Sequence, residues 1–223
     1  MVVDGKLQKA KKVKLSGARR KEVLKQTEKQ KEIVERVTKT TGDVLYAKPR
    51  VDSDECMTPR YLVIPIVKYI LWYERNLGRS VKVWLPFDTK DSEFVKVFTE
   101  VGIDFEASHI KDGKDFFTYQ PDSWDIIVSN PPFKKKKEFF DRALSFNKPF
   151  ALVMAMTWLN DATVYKLFSG YGKDLQILSF DKRTHFLNDK GEDMGRPSFG
   201  SSYFCSDLLP KQIVYETLDK GVK

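Results

Sequence analysis

Residues 125–144 read DIIVSNPPFKKKKEFFDRAL: an apolar strand runs into Asn130-Pro131-Pro132-Phe133, and then into four lysines, Lys134 to Lys137. Two consecutive prolines lock their φ angles and carry no N–H, so the turn they make is rigid and offers only carbonyl acceptors. Asn130 adds a side-chain carbonyl to that set. A rigid pair of acceptors suits an amino group with two hydrogens to donate, and Phe133 supplies a face on which a flat ring can stack. Asn-Pro-Pro also serves as a plain strand-terminating turn. The lysines sit at the start of a helix whose apolar face is Phe139, Phe140, Ala143 and Leu144. Cations there oppose the helix dipole by roughly 0.3–1 kcal/mol each when exposed, and stability alone favours carboxylates in that turn. Phosphate contact is one reason for the block; a solvated charge run is the other.

The surrounding sequence alternates between strand and helix patterns. A helix starting at Pro65 follows TPRYLV, because proline is welcome in a first turn and disruptive later. Strand VKVWLP (81–86) precedes helix SEFVKVFTEV (92–101), then strand IDFEASHI (103–110), a short strand near DFFTY and strand WDIIVS (124–129). A helix over about 135–147 leads to strand FALVMAM (150–156), and a helix over about 161–169 to strand LQILSF (175–180). Strand FGSSYFCSD (199–207) and a short terminal helix close the chain. Nearly apolar strands alternating with helices predict an α/β, doubly wound, mostly parallel sheet of seven strands, covered on both faces. In such a sheet ligands bind at the carboxyl ends of the strands, where the NPPF segment lies.

The net charge of +8 resides in residues 1–40, which hold 13 Lys and Arg against 5 Asp and Glu; the rest of the chain is neutral. The expected organisation is a basic extension over 1–42, disordered to about residue 15 and helical from Ser16 to Gly42, followed by a domain over 43–223. The longest apolar runs fall far short of a membrane span, and no secretory segment follows Met1. Cys56 and Cys205 form neither a disulfide framework nor a metal-ligand spacing. The expectation is a cytoplasmic protein with free thiols, no metal and no membrane partner. Trp72, Trp84, Trp124 and Trp158 sit in or beside apolar elements and read as core. Arg183, His185 and Arg196 fall in a polar connection and show no spacing of their own.

NPPF after a strand resembles the (D/N/S)-P-P-(Y/F) signature of the amino methyltransferases, which move a methyl group from S-adenosylmethionine to an exocyclic nitrogen. The asparagine form resembles the adenine-N6 enzymes, and the element order agrees over about residues 55–210. That resemblance implies that the Asn130 side chain and the Pro131 carbonyl accept the two amine hydrogens, with Pro132 holding the turn. It implies that Phe133 stacks on a base swung out of its helix, and that catalysis is positioning rather than strong-base chemistry. It implies nucleic acid, DNA or RNA, as the partner, with Lys134, Lys135, Lys136 and Lys137 near its phosphates.

On the cofactor side the resemblance implies a loop close to D-P-x-x-G-x-G after the first strand. Pro86 matches; Leu85 stands where the family has its acid, and residues from Asp88 to Asp91 replace the glycines, leaving Asp88 or Asp91 to take over. For the cofactor ribose the second strand offers Glu106 early and His109 where an acid is expected. Asp115-Phe116 resembles the acidic-aromatic pair that brackets the cofactor's adenine, and Thr58-Pro59 the loop before the first helix; a bland turn is the other reading of each. The compact chain also resembles small phage-encoded members of this superfamily. Two further readings stand beside this one: a catalytically inactive methyltransferase fold that binds nucleic acid, and a protein-glutamine methyltransferase.

Overall fold

The computed structural model describes residues 28–32, 56–188, 190–195, 197 and 199–221. Most of the basic extension, the connector after it and Arg196 lie outside the described residues. Within the extension residues 28–32 are helical. Their Gln30 Nε2 donates to the Leu71 carbonyl at 3.2 Å, and Arg75 donates to Gln30 Oε1.

The described residues form helix α1 (Arg60–Leu77), strand β1 (Lys82–Leu85), α2 (Glu93–Val101), β2 (Asp104–Ala107) and β3 (Ile126–Ser129). They continue through α3 (Lys136–Ser145), β4 (Phe150–Ala155), α4 (Ala162–Gly170), β5 (Gln176–Phe180), β6 (Ser201–Ser206) and β7 (Ile213–Glu216). The seven strands make one sheet in the order β2-β1-β3-β4-β6-β5-β7. Every pairing is parallel except those of β6, which runs antiparallel to β4 and β5.

Alternation along the strands divides the core in two, since successive side chains point to opposite faces. Val83, Leu85, Ile126, Val128, Ala151 and Val153 join the cluster covered by α1 and α2. Trp84, Ile127, Phe150, Leu152 and Met154 join the cluster covered by α3 and α4. The sheet is therefore doubly wound, as expected.

Trp84, Trp124 and Trp158 are buried in the core, whereas Trp72, read as core from the sequence, is half-buried and belongs to neither cluster. Three expectations about the elements also fail. Helix α1 begins at Arg60, with Pro59 as its N-cap and Pro65 inside. An interior proline costs about 3 kcal/mol, but the extra turn buries Leu62, Val63 and Ile64, each worth about 1.5–3 kcal/mol. DFFTY is a turn and not a strand: Asp115 Oδ1 accepts from Phe117 N at 3.0 Å, and the Asp115 carbonyl from Tyr119 N at 2.8 Å. The terminal helix is replaced by β7, where Ile213, Val214 and Tyr215 extend the sheet beside β5. Four residues there gain a full ladder, whereas so short a helix is marginal.

Candidate active site

The sheet order changes direction at β1: β2 lies on one side of it and β3 on the other. Ligand crevices in open α/β sheets form outside the carboxyl ends of the strands at such a point. A cavity of about 360 Å³ lies there, lined by the segments that leave β1, β2 and β3 and by the loop before α1. Of the residues singled out from sequence, Thr58, Pro86, Asp88, Asp91, Asp115, Phe116, Asn130, Pro131, Pro132, Phe133 and Lys135 line this one cavity. Pro59, Lys134, Lys136 and Lys137 do not.

Asn130 has a defined orientation. Its Nδ2 donates to the Cys56 backbone carbonyl at 3.1 Å, and a carbonyl only accepts, so the nitrogen must be the atom on that side. The other end of the amide, Oδ1, is shut off from solvent and takes no hydrogen bond from any described residue. An unpaired buried acceptor costs about 1–3 kcal/mol; it belongs to a residue that lines the cavity, and a donor reaches it only when that part of the wall shifts. Pro131 is buried and Phe133 half-buried, and Phe133 packs against the aromatic core on the α3 side.

Asp88 faces the same cavity and is 6% exposed. Burial pushes its carboxyl up from 3.8 to about 6, against the pull of hydrogen bonds from Ser129 and Ser92. Ser92 also caps α2, accepting from Val95 N at 3.3 Å, and Asp91 is left exposed at the cavity edge. Among the described residues only Asn147 and Asp207 have positive φ without being glycine. The loop from Pro86 to Ser92 thus follows a path that does not need the left-handed conformation glycine provides.

Around the second strand the roles divide. Glu106 is not in the cavity wall; Tyr119 donates to it and Lys82 Nζ lies 2.9 Å from it, which together hold its carboxyl below the usual range. His109 does line the cavity, its Nδ1 accepting from Lys111 N at 3.1 Å to cap a single 3-10 turn. Phe116 is 2% exposed and belongs to the core. Its neighbour Phe117 is half-buried, lies parallel to Phe139 with ring centroids 4.9 Å apart, and has Lys135 Nζ 5.6 Å over its ring. Phe87 meets Phe139 edge-on at 4.8 Å. Sequence reasoning missed Phe87, Phe117 and Phe139 as wall residues; their only signal was adjacency to Pro86, Phe116 and the lysine block.

Thr58 is buried, and its loop is tied down by Met57, whose N–H donates to the Leu187 carbonyl at 2.8 Å. Leu187 N returns the bond to the Met57 carbonyl at 3.0 Å. Among the described residues there is no group of His, Cys, Asp and Glu that could hold a metal ion. No described helix is long and apolar enough to cross a membrane.

No family model matches the sequence, and no curated protein does. Among solved structures, a candidate RNA methyltransferase from Pyrococcus horikoshii is similar, with a TM-score of 0.50 at 13% identity, covering 81% of this chain and 98% of that one. A candidate class I S-adenosylmethionine-dependent methyltransferase from Listeria monocytogenes has a TM-score of 0.47 at 12% identity, covering 88% and 76%. A precorrin-6y C5,15-methyltransferase from Geobacter metallireducens has a TM-score of 0.39 at 12% identity, covering 73% and 98%. At 13% identity the first comparison carries the fold, and with the sheet order and the two-faced core it gives the conclusion: the chain has the Rossmann-like α/β fold of methyltransferases.

Proposed function

We propose that the protein is an S-adenosylmethionine-dependent methyltransferase acting on an exocyclic amino group, adenine N6, in nucleic acid. The observation that carries this reading is the buried, unpaired Asn130 Oδ1, held in orientation by the Cys56 carbonyl at the carboxyl end of β3. Beside it the Pro131 carbonyl belongs to a turn without N–H donors. Two acceptors on a rigid support fit an –NH2 group, and they disfavour a carbonyl or ether oxygen, which brings no hydrogen. Phe133 next to them fits a flat ring rather than a flexible side-chain amide, which favours a base over a glutamine.

The cavity suits the cofactor by charge and size. S-adenosylmethionine carries a sulfonium and an ammonium group, and the wall presents Asp88, Asp91 and Asp115. About 360 Å³ is within the range of small-molecule sites. Asp88 and Asp91 would hold the cationic methionine end, with Thr58 and Pro59 behind it, and Asp115 with Phe116 and Phe117 the adenosine end. The cofactor supplies an electrophilic methyl carbon. The chain's part is to draw the two amine hydrogens onto Asn130 and Pro131, so that the nitrogen lone pair points at that carbon. The C–N bond forms as the C–S bond breaks, its electrons staying on sulfur, and the surplus proton passes to water. Asn130 has no proton-accepting role in this scheme, so its contribution is orientation and polarisation.

Calorimetric titration of S-adenosylmethionine into the purified chain tests the reading. Binding by the wild type and by Asn130→Ala with similar affinity is the expected result. No heat at millimolar cofactor would overturn it in favour of a non-catalytic nucleic-acid module.

A further inference from the structure

The proposed reaction does not use an exposed tyrosine and leucine beside the lysine block. Tyr165 is 76% exposed and Leu159 41% exposed. Leu159 lies in the 3-10 turn Met156–Asn160 after β4, and Tyr165 near the start of α4. Both therefore follow the carboxyl end of the strand beside β3, on the same edge of the sheet as Asn130.

Side-chain interactions tie this surface to the lysines. Helices α3 and α4 pack side by side, and Tyr171 OH donates to Asp141 Oδ1 at 3.0 Å near their far ends. At the near ends Lys136 Nζ stands 5.4 Å over the Trp158 ring. The groups that hold the Asp161 carboxyl below its usual range are the Thr163 N–H first and Lys136 among the rest. Asp161 is the N-cap of α4, and Tyr165, four residues on, lies on the same side of the helix. Lys134, Lys135, Lys137 and Lys166 are exposed. The nearby carboxylates are Glu138, Asp141 and Asp161, fewer than the five lysines Lys134, Lys135, Lys136, Lys137 and Lys166, so the surface carries a net positive charge.

We infer that this surface carries the nucleic-acid strand outside the pocket, with the lysines on phosphates and Tyr165 as a platform for an unpaired base flanking the target. This assignment rests on the nucleic-acid reading above. Aromatic rings interleaved with lysines are what single-strand binding uses, whereas lysine is depleted in the cores of protein–protein interfaces. Stacking needs an unpaired neighbour, so the preferred substrate is a single strand, a loop or a locally opened duplex.

The test is fluorescence anisotropy with the full chain and labelled oligonucleotides of about 12 nucleotides, single-stranded and duplex. Tyr165→Ala should raise the single-strand Kd by roughly fivefold to a hundredfold, and Tyr165→Phe should restore it. The salt slope should be unchanged in Tyr165→Ala and lowered by about 0.7 in Lys137→Ala, with cofactor binding unaltered in both. An unchanged Kd in Tyr165→Ala, against measurable wild-type binding, overturns this surface and leaves the active-site reading intact. No wild-type binding to strand or duplex overturns both. A change of solution mass on Tyr165→Ala with unchanged oligonucleotide affinity reassigns the patch to self-association.

Discussion

Asp88 offers a quantitative test of how the cavity is built. Its carboxyl is raised from 3.8 to about 6 by burial, against hydrogen bonds from Ser129 and Ser92. Each tenfold change in proton affinity is worth about 1.4 kcal/mol, so holding the ionised group costs the folded state about 3 kcal/mol. The sign follows from linkage. Between about pH 4 and pH 6 the unfolded chain has released this proton and the folded chain has kept it, so stability falls as pH rises and levels off above about 6. Asp88→Asn keeps the shape and removes the charge. Its stability relative to wild type should be near equal at pH 4 and greater by about 3 kcal/mol at pH 8, measured by urea unfolding across that range. Other titrating groups are common to both proteins and drop out of the difference. The same variant should bind S-adenosylmethionine more weakly, because a charge kept at such a cost has a cationic ligand to meet. A stability gap independent of pH, or a wild type more stable at pH 8, would refute this account of Asp88.

Asn130→Ala should abolish methyl transfer and leave cofactor affinity nearly unchanged by calorimetry, because the side chain meets the amine and not the cofactor. Phe133→Ala should mainly raise the apparent substrate constant in steady-state kinetics, by the roughly 1–3 kcal/mol of a stacked base, whereas Phe133→Tyr keeps the ring face and should be tolerated. Asp115→Ala should weaken cofactor binding strongly in the same calorimetric titration, and unchanged affinity would remove Asp115 from the site. Deleting residues 1–42 should leave a folded domain, with the removal of the Gln30 hydrogen bonds to α1 costing about 1 kcal/mol. Its nucleic-acid binding should be weaker and less salt-sensitive, the log–log slope on duplex DNA falling by about 0.9 for each phosphate the extension neutralises; aggregation of the truncated chain would place the boundary elsewhere.

The elements that position the site were legible because their signals are local. Ile126 to Ser129 are uniformly apolar or small and are buried on both faces, and Pro131-Pro132 ends them for steric reasons any sequence shows. What escaped was decided by distant partners. β7 follows from the hydrogen bonds β5 has to offer, and the early start of α1 follows from what Leu62, Val63 and Ile64 pack against. Asp115 turns DFFTY back on itself through its own side chain, which a strand-like run of aromatics conceals. In the site, NPPF announced an acceptor but not its orientation, which depends on the Cys56 carbonyl 74 residues away. Likewise the local sequence did not show that Glu106 pairs with Lys82 and Tyr119 outside the cavity wall while His109 lines it.

The most direct measurement is transfer of a radiolabelled methyl group from S-adenosylmethionine to single-stranded DNA, duplex DNA and RNA, followed by digestion and nucleoside analysis. The account predicts label in N6-methyladenine with the wild-type chain and none with Asn130→Ala. Label in cytosine or in a protein side chain, or undiminished transfer by Asn130→Ala, would contradict it.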